Sequence, residues 1–403
     1  MLRVLIADKL PDFARTRLQE AGCAVVFDPN LTDANLADAL REHDPDVLVV
    51  RSTKVKAEHL AAARTLQLIV RAGAGVNTID LEAASSRGVQ VANCPGTNAV
   101  AVAELAWAHI LNADRRVADG AADLRAGSWK KKLYSKARGL KGRTLGVIGV
   151  GDIGREVILR ARAFEMPVVA WSRSLTPEKA AALGITALPS AVEVARQADV
   201  LTVHLAMSPA TRGIVGEAIF DALRPGAIFV NTSRGEVVDE AALARAVREK
   251  GVRAGLDVFM NEPANDGEWS SELAKLPGVW GTHHIGASTD QAQEAVADET
   301  VRIILVWRAS GEAPNCVNMA ETTTATHLLV VRHEDQVGVL AVVLDALRQA
   351  NINVQQMENA IFSGGRAASA RIYIENPPPA SLLDELRARE PIFDVKLVAL
   401  ENP

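Results

Sequence analysis

Cysteine is scarce. The 403 residues hold only Cys23, Cys94 and Cys316, an odd number with no CxxC pair. That excludes a disulfide framework, implies no metal site, and fits a reducing, cytoplasmic setting. No apolar run approaches the roughly 20 residues that a membrane-crossing helix needs. Met1–Asp8 is too short an apolar run for a secretory leader and passes straight into a strand–helix pattern. A basic excess is also missing, since 44 Lys and Arg stand against 49 Asp and Glu for a net charge of −5. A nucleic-acid partner would ask for a basic face; the short run Lys130–Lys132 is read as a solvated loop. There are no internal repeats and no low-complexity tract.

What is present is alternation. RVLIAD, CAVVF, DVLVVRS, LQLIVRA and VQVAN are short apolar runs separated by helical patterns, such as Pro11–Glu20 and Ala57–Ala63. Continuous apolar strands between helices predict a parallel sheet covered on both faces. A long helical repeat over Thr97–Val117 separates this series from a second one: TLGVIG, VVAWS, DVLTVHL, AIFVNT, RAGLDVF and VWGTHH. Within it, Ser190 and Glu193 have the spacing of a capping box. A helix over Thr289–Arg308 closes the series. Ala309–Thr324, with Gly311 and Pro314, lacks periodicity and is read as a linker. Beyond it THLLVVR, Val337–Ala350, NVQQMEN, ASARIYIE, Ala380–Arg389 and FDVKLVAL give a βαββαβ order. The expected class is α/β, with two doubly wound parallel-sheet (Rossmann-like) domains and a small C-terminal βαββαβ domain.

The second series opens on GVGDIG, between the strand Thr144–Ile148 and a helix, with a further strand at Val168–Trp171. Gly149 permits the turn, Gly151 lets backbone approach a pyrophosphate, and Gly154 lets helix and strand close up. N–H groups at the helix start then face phosphate charge. At the end of the next strand, an acid would grip the ribose 2′-OH of NAD; Ser172 and Arg173 stand there instead. A guanidinium pairs with a 2′-phosphate, so between NAD and NADP these residues favour NADP.

Arg234, Glu262 and His284 follow three later strands of the same series. In an open α/β sheet, ligands bind outside the carboxyl ends of the strands. An imidazole can take the proton of a secondary alcohol while hydride leaves carbon. A carboxylate can orient that imidazole and offset its charge. A guanidinium can clamp a substrate carboxylate and polarise a carbonyl. Neighbouring His283 competes with His284, and alternation along an extended segment leaves the choice open.

With these motifs in view, the chain resembles the D-isomer-specific 2-hydroxyacid dehydrogenase family along its length. The similarity runs through VLIADKLPDFARTRLQEAG, VVRSTKV, VRAGAGVNTIDLEAA, VANCPGTNAVAVAEL, the glycine turn, NTSRGEVVDEAAL, AGLDVFMNEP and HIGAST, in that order. The resemblance implies that His284 is the acting histidine, because the family's His precedes an aliphatic residue and Gly. It implies that Asp257 faces the nicotinamide amide and that Thr232, Asp152, Ile153, Leu205 and Gly286 line the cofactor. It further implies that N–H groups of Ala74, Gly75 and Val76 receive the substrate carboxylate, and that Arg51 and Arg71 receive a phosphate.

The domains so implied are 1–97 with 289–312 for substrate, 98–288 for dinucleotide, a linker over 313–324, and 325–403. The last resembles an ACT regulatory domain. It implies a homodimer or homotetramer and an amino-acid effector near His333, Asp335 and Asn353; Asp335, standing where serine-regulated relatives carry Asn, argues against L-serine. The implied activity is the oxidation of 3-phosphoglycerate to 3-phosphohydroxypyruvate, the entry to serine synthesis. The alternatives are reduction of glyoxylate or hydroxypyruvate and, in a different class, a dinucleotide-sensing interaction protein like the family's corepressors. One departure is His204–Leu205–Ala206, where the family has His-x-Pro, which puts the rigidity of that loop in question.

Overall fold

The structure, a computed structural model, describes residues 1–263, 267–320 and 323–400. Residues 321–322 of the expected linker and 401–403 of the expected last domain lie outside the described residues. The chain divides into two compact units, Met1–Asn318 and Met319–Pro403. No helix among the described residues is long and apolar enough to cross a membrane.

The first unit holds two parallel sheets. β1 (Arg3–Ile6), β2 (Ala24–Phe27), β3 (Val47–Val50), β4 (Leu68–Arg71) and β5 (Gln90–Asn93) form a sheet in the order β2-β1-β3-β4-β5. All four residues of β3 are buried, as a strand covered on both faces requires. One cover comes from far along the chain. The helix Asp290–Ser310 sets Val296, Ala297, Val301, Ile303, Ile304 and Trp307 against Val4, Ile6, Val47 and Val70. Thr289 caps its start by accepting the Ala292 N–H at 3.2 Å.

The second sheet contains β6 (Leu145–Ile148), β7 (Val168–Trp171), β8 (Thr186–Ala187), β9 (Val200–Val203), β10 (Ile228–Asn231), β11 (Arg253–Leu256) and β12 (Val279–Gly281), in the order β12-β11-β10-β9-β6-β7-β8. The chain winds outward from β6 through β7 and β8, then returns to β9 and winds the other way. This reversal opens a crevice at the carboxyl ends of β6 and β9.

Three sequence expectations change in detail. The strand expected over VWGTHH stops at Gly281, and His284 has a left-handed backbone with φ of 54°, so alternation does not govern the two histidines. The capping box is half formed: Ser190 accepts the Glu193 N–H at 3.2 Å, while the Glu193 carboxylate turns to Arg196. Part of the expected linker is ordered against β5. Cys316 bridges Ala92 in antiparallel fashion, and the Val317 N–H donates to the Val91 carbonyl at 2.8 Å. Polar residues without periodicity can still pair with a sheet edge through their backbone.

The second unit is a four-stranded antiparallel sheet of β13 (His327–Glu334), β14 (Val354–Ile361), β15 (Ala367–Ile374) and β16 (Ile392–Ala399), ordered β14-β15-β13-β16. Helices Val339–Gln349 and Ala380–Arg387 cover one face, burying Val343, Leu347 and Leu386 with Leu329, Val331 and Ile372.

Candidate active site

β10, β11 and β12 are neighbours, and each delivers one polar residue just past its end: Arg234, Glu262 and His284. His284 Nδ1 lies 2.7 Å from Glu262 Oε2. An ionised carboxylate only accepts, so Nδ1 carries the hydrogen and Nε2 is left to exchange a proton. The second oxygen of Glu262 accepts the Phe259 N–H at 2.7 Å. Burial alone raises the Glu262 pKa, but the His284 hydrogen bond, the Phe259 N–H and the charges of His284 and Arg234 outweigh it and hold the carboxyl below its ordinary range. The imidazole remains 47% exposed and open to a ligand. His283 is also exposed, but the side-chain hydrogen bonds of Glu262 go to His284 and the Phe259 N–H.

Arg234 sits beside the loop after β4. An added Cβ at Gly75 would lie 2.7 Å from Arg234 Nη2, so any larger residue there would push the guanidinium aside. The N–H groups of Ala74, Gly75 and Val76 have no acceptor among the described residues. Arg71 is near enough to feel both Arg234 and Arg51. Burial first, then these two like charges, bring its pKa down to about 10, still a full cation at neutral pH. Arg51 touches Gln293 at 3.5 Å, and Arg71 Nε is buried without a partner. Among the described residues, no carboxylate within 4.0 Å offsets any of the three guanidiniums. Like charges so gathered call for a ligand with more than one negative group.

A dinucleotide fits the crevice at β6. Gly149 has φ of 95°, and a Cβ there would stand 2.1 Å from the His204 carbonyl oxygen. Gly154 backs onto the Gly149 carbonyl in the same way, at 2.2 Å, while in front of Gly151 there is open space. Asp152 is exposed at the start of the helix Asp152–Ala163, and Ile153 packs into the core behind it. Thr232 Oγ1, at the end of β10, is buried without a partner. Ser172 and exposed Arg173 follow β7.

Leu205 packs under Gly149. The loop missing its proline is held differently: Thr211 Oγ1 donates to the Ala206 carbonyl at 2.7 Å and accepts the Ser208 N–H at 2.8 Å. The buried His204 ring makes one hydrogen bond among the described residues, to Thr202, and burial lowers its pKa to about 3, so it is neutral.

These contacts separate two glycine substitutions. Gly149→Ala is expected to cost about 3 kcal/mol or more, through a strained φ and an overlap with backbone that has no room to yield. Gly151→Ala is expected to keep the thermal midpoint near the parent's while weakening NADH or NADPH binding at least tenfold. Thermal unfolding and a cofactor fluorescence titration check both; equal midpoints for the two variants would show that the turn relaxes.

Asp257, expected to face the nicotinamide amide, is buried and accepts from Thr282 Oγ1 at 2.6 Å, the Ile285 N–H at 2.9 Å and the Gly286 N–H at 2.8 Å, clamping the turn that presents His284. Two other residues here carried no sequence signal. His109 donates from Nε2 to Thr282 at 3.0 Å, because the threonine hydrogen is already given to Asp257. Glu240 accepts the Met260 N–H at 2.7 Å, next to the peptide that Glu262 holds. Burial and the Glu262 charge raise its pKa. In sequence it reads as an ordinary first-turn helix acid.

In the second unit, His333 is buried with both ring nitrogens engaged, by the Glu334 carbonyl at 2.7 Å and Asn359 at 3.2 Å. It therefore supports the sheet rather than offering a free donor, whereas Asp335 and Asn353 are exposed.

Residues 107–286 match the model of the family described as D-isomer specific 2-hydroxyacid dehydrogenase, NAD binding domain. A Methanocaldococcus jannaschii protein named D-3-phosphoglycerate dehydrogenase is 39% identical over 325 residues, covering 79% of this chain and 60% of that protein. A Mycobacterium leprae protein of the same name is 41% identical over 322 residues, covering 78% and 58%. The chain thus spans about three-fifths of the length of these curated relatives. The crystal structure of a Thermus thermophilus protein superposes with a TM-score of 0.69 at 35% identity, covering 78% of this chain and all of that one. The chain belongs to the D-isomer specific 2-hydroxyacid dehydrogenase family.

Proposed function

We propose that the chain is a nicotinamide-dependent oxidoreductase that interconverts 3-phosphoglycerate and 3-phosphohydroxypyruvate. One observation carries the reading: a His–Glu pair at 2.7 Å stands beside three guanidiniums that have no carboxylate within 4.0 Å, and a row of N–H groups that have no acceptor, among the described residues. The N–H groups of residues 74–76 and Arg234 take the substrate carboxylate. Arg51 and Arg71 suit a second anionic group at the far end, which a phosphorylated acid has and glyoxylate lacks. NAD or NADP, when bound along the β6 turn, supplies the hydride chemistry. In the oxidising direction His284 Nε2 accepts the hydroxyl proton, and Glu262 offsets the charge that the ring gains. In the reducing direction the same proton returns to the carbonyl oxygen while Arg234 stabilises its developing charge. The cofactor assigned here is NADP, because exposed Arg173 follows β7 and no acid stands there to grip a ribose 2′-OH. The same Arg173 supports a second reading, an NADPH-dependent reductase of glyoxylate or hydroxypyruvate.

Initial rates on phosphohydroxypyruvate, hydroxypyruvate and glyoxylate, each with NADH and NADPH, test the proposal. The phosphorylated acid with NADPH is expected to give the highest kcat/KM. Arg51→Ala is expected to raise KM for the phosphorylated acid about tenfold or more, as loss of a charged hydrogen bond does, and to leave hydroxypyruvate unaffected. Equal changes on both acids would favour the second reading, and a strong NADH preference would make Arg173 a bystander.

A further inference from the structure

The loop that reaches Arg234 is held from behind by residues with no part in the reading above. β5 runs beside it and grips two successive carbonyls. The Cys94 N–H donates to Gly73 O at 3.0 Å, and Asn93 Nδ2 donates to Ala74 O at 2.5 Å. With both carbonyls engaged on that side, the N–H groups of residues 74–76 are the ones left without an acceptor among the described residues.

Asn93 is in turn bracketed by one residue of the segment after the helix Asp290–Ser310. The Asn315 carbonyl accepts the Asn93 N–H at 3.4 Å, and Asn315 Nδ2 donates to Asn93 O at 3.3 Å. This two-sided grip requires a sharp bend, and Asn315 has φ of 57°, a region that Asn tolerates better than other side chains. The same Nδ2 also donates to Glu299 Oε1 at 2.7 Å, and both oxygens of Glu299 are held by Arg302, each at 2.7 Å. Ionised Glu299 is therefore a fixed anchor, its pKa lowered chiefly by the Arg302 hydrogen bonds.

We infer that Asn93 and Asn315 are positioning residues for substrate affinity: Asn315, anchored on Glu299, sets the Asn93 peptide, and the Asn93 side chain sets the Ala74 carbonyl and so presents the N–H groups beside Arg234. The inference rests on the proposed role of residues 74–76 in binding the substrate carboxylate. Neither asparagine touches the reacting atoms. The effect belongs in KM rather than kcat, and because both act through one carbonyl, their effects do not add.

The full chain is used as parent, Asn93→Ala, Asn315→Ala and the double variant. KM and kcat are measured with phosphohydroxypyruvate, and amide hydrogen exchange at residues 72–76 is followed without ligand. Each single variant is expected to raise KM about three- to tenfold, the span of one lost hydrogen bond, with kcat changed less than about twofold. Exchange at Ala72 and Gly73, whose N–H groups bond to the Val50 and Arg71 carbonyls, is expected to quicken in both, and the double variant to be no worse than Asn93→Ala. Asn315→Ala removes side-chain contacts from a short strap at the sheet edge, so it yields folded protein for these measurements even if Asn93→Ala does not. Unchanged exchange in Asn315→Ala, or multiplied KM effects in the double variant, overturns the relay. Faster exchange with KM unchanged leaves the mechanical link intact but removes the loop from substrate binding, which strikes at the proposed function instead.

Discussion

The His284→Ala variant is expected to turn over about 10²–10⁴-fold more slowly than its parent, the usual worth of a positioned acid–base group. Its KM should move little, since the substrate's anionic ends meet Arg234, the 74–76 loop, Arg51 and Arg71 rather than the imidazole. Steady-state kinetics decide this, and a kcat within about threefold of the parent would remove His284 from proton transfer. The partner gives a second readout. Glu262 is held below the ordinary carboxyl range in the folded chain, against burial that works the other way. A depressed carboxyl stabilises the fold above its unfolded value, and that contribution disappears as pH falls through the folded one. The stability gap between the parent and Glu262→Gln should therefore shrink as pH falls below about pH 4. Denaturant melts from about pH 5 downward check the sign; a gap that widens below about pH 4 would contradict the depressed carboxyl.

Arg234→Ala is expected to lower kcat/KM by about 10²–10³-fold, the cost of removing one donor that stabilises a developing oxyanion, with substrate binding weakened as well. Stability should not follow activity. Arg234 repels Arg71, which feels Arg51 too, and no carboxylate among the described residues lies within 4.0 Å of these three. Removing the charge relieves that repulsion but also forfeits the attraction to Glu262, so the two effects offset and the thermal midpoint should stay near the parent's. A clear fall in the midpoint would show that Arg234 serves packing through its contact with Gly75 and the Ser233 carbonyl.

Much of this was legible because parallel sheets write themselves into sequence. Runs such as VLVV are apolar at every position since both faces are covered, and polar residues directly after them fall at the ligand-binding end. Arg234 and Glu262 stand out by that rule, whereas His284 is told from His283 only by the family resemblance. The rule is silent where backbone carries the interaction. Asn315 pairs with β5 through its peptide groups and a bend, which leaves no periodic trace, so its segment reads as a linker. Glu240 looks like any acid in a first helical turn until the 259–262 turn folds onto it. The short β12 misleads because its edge contact ends at Thr282, whose N–H still reaches the Leu256 carbonyl at 2.9 Å, before the backbone turns left-handed at His284. The Ala206 loop shows the converse: a missing proline suggests slackness, yet Thr211 supplies the restraint from five residues away.

The helix Asp290–Ser310 has a consequence for how the chain is made. During synthesis β1 through β5 leave the ribosome early, yet one side of their sheet is covered only in part, by the helix Asp12–Glu20, until Val296, Ile303 and Trp307 emerge, after every strand of the other sheet. Until then a greasy flank stays open to water and to neighbouring nascent chains, a state prone to aggregation. Shortening the gene between codons 290 and 308 should thus give insoluble product, even though every residue of the hydride-transfer crevice is still encoded.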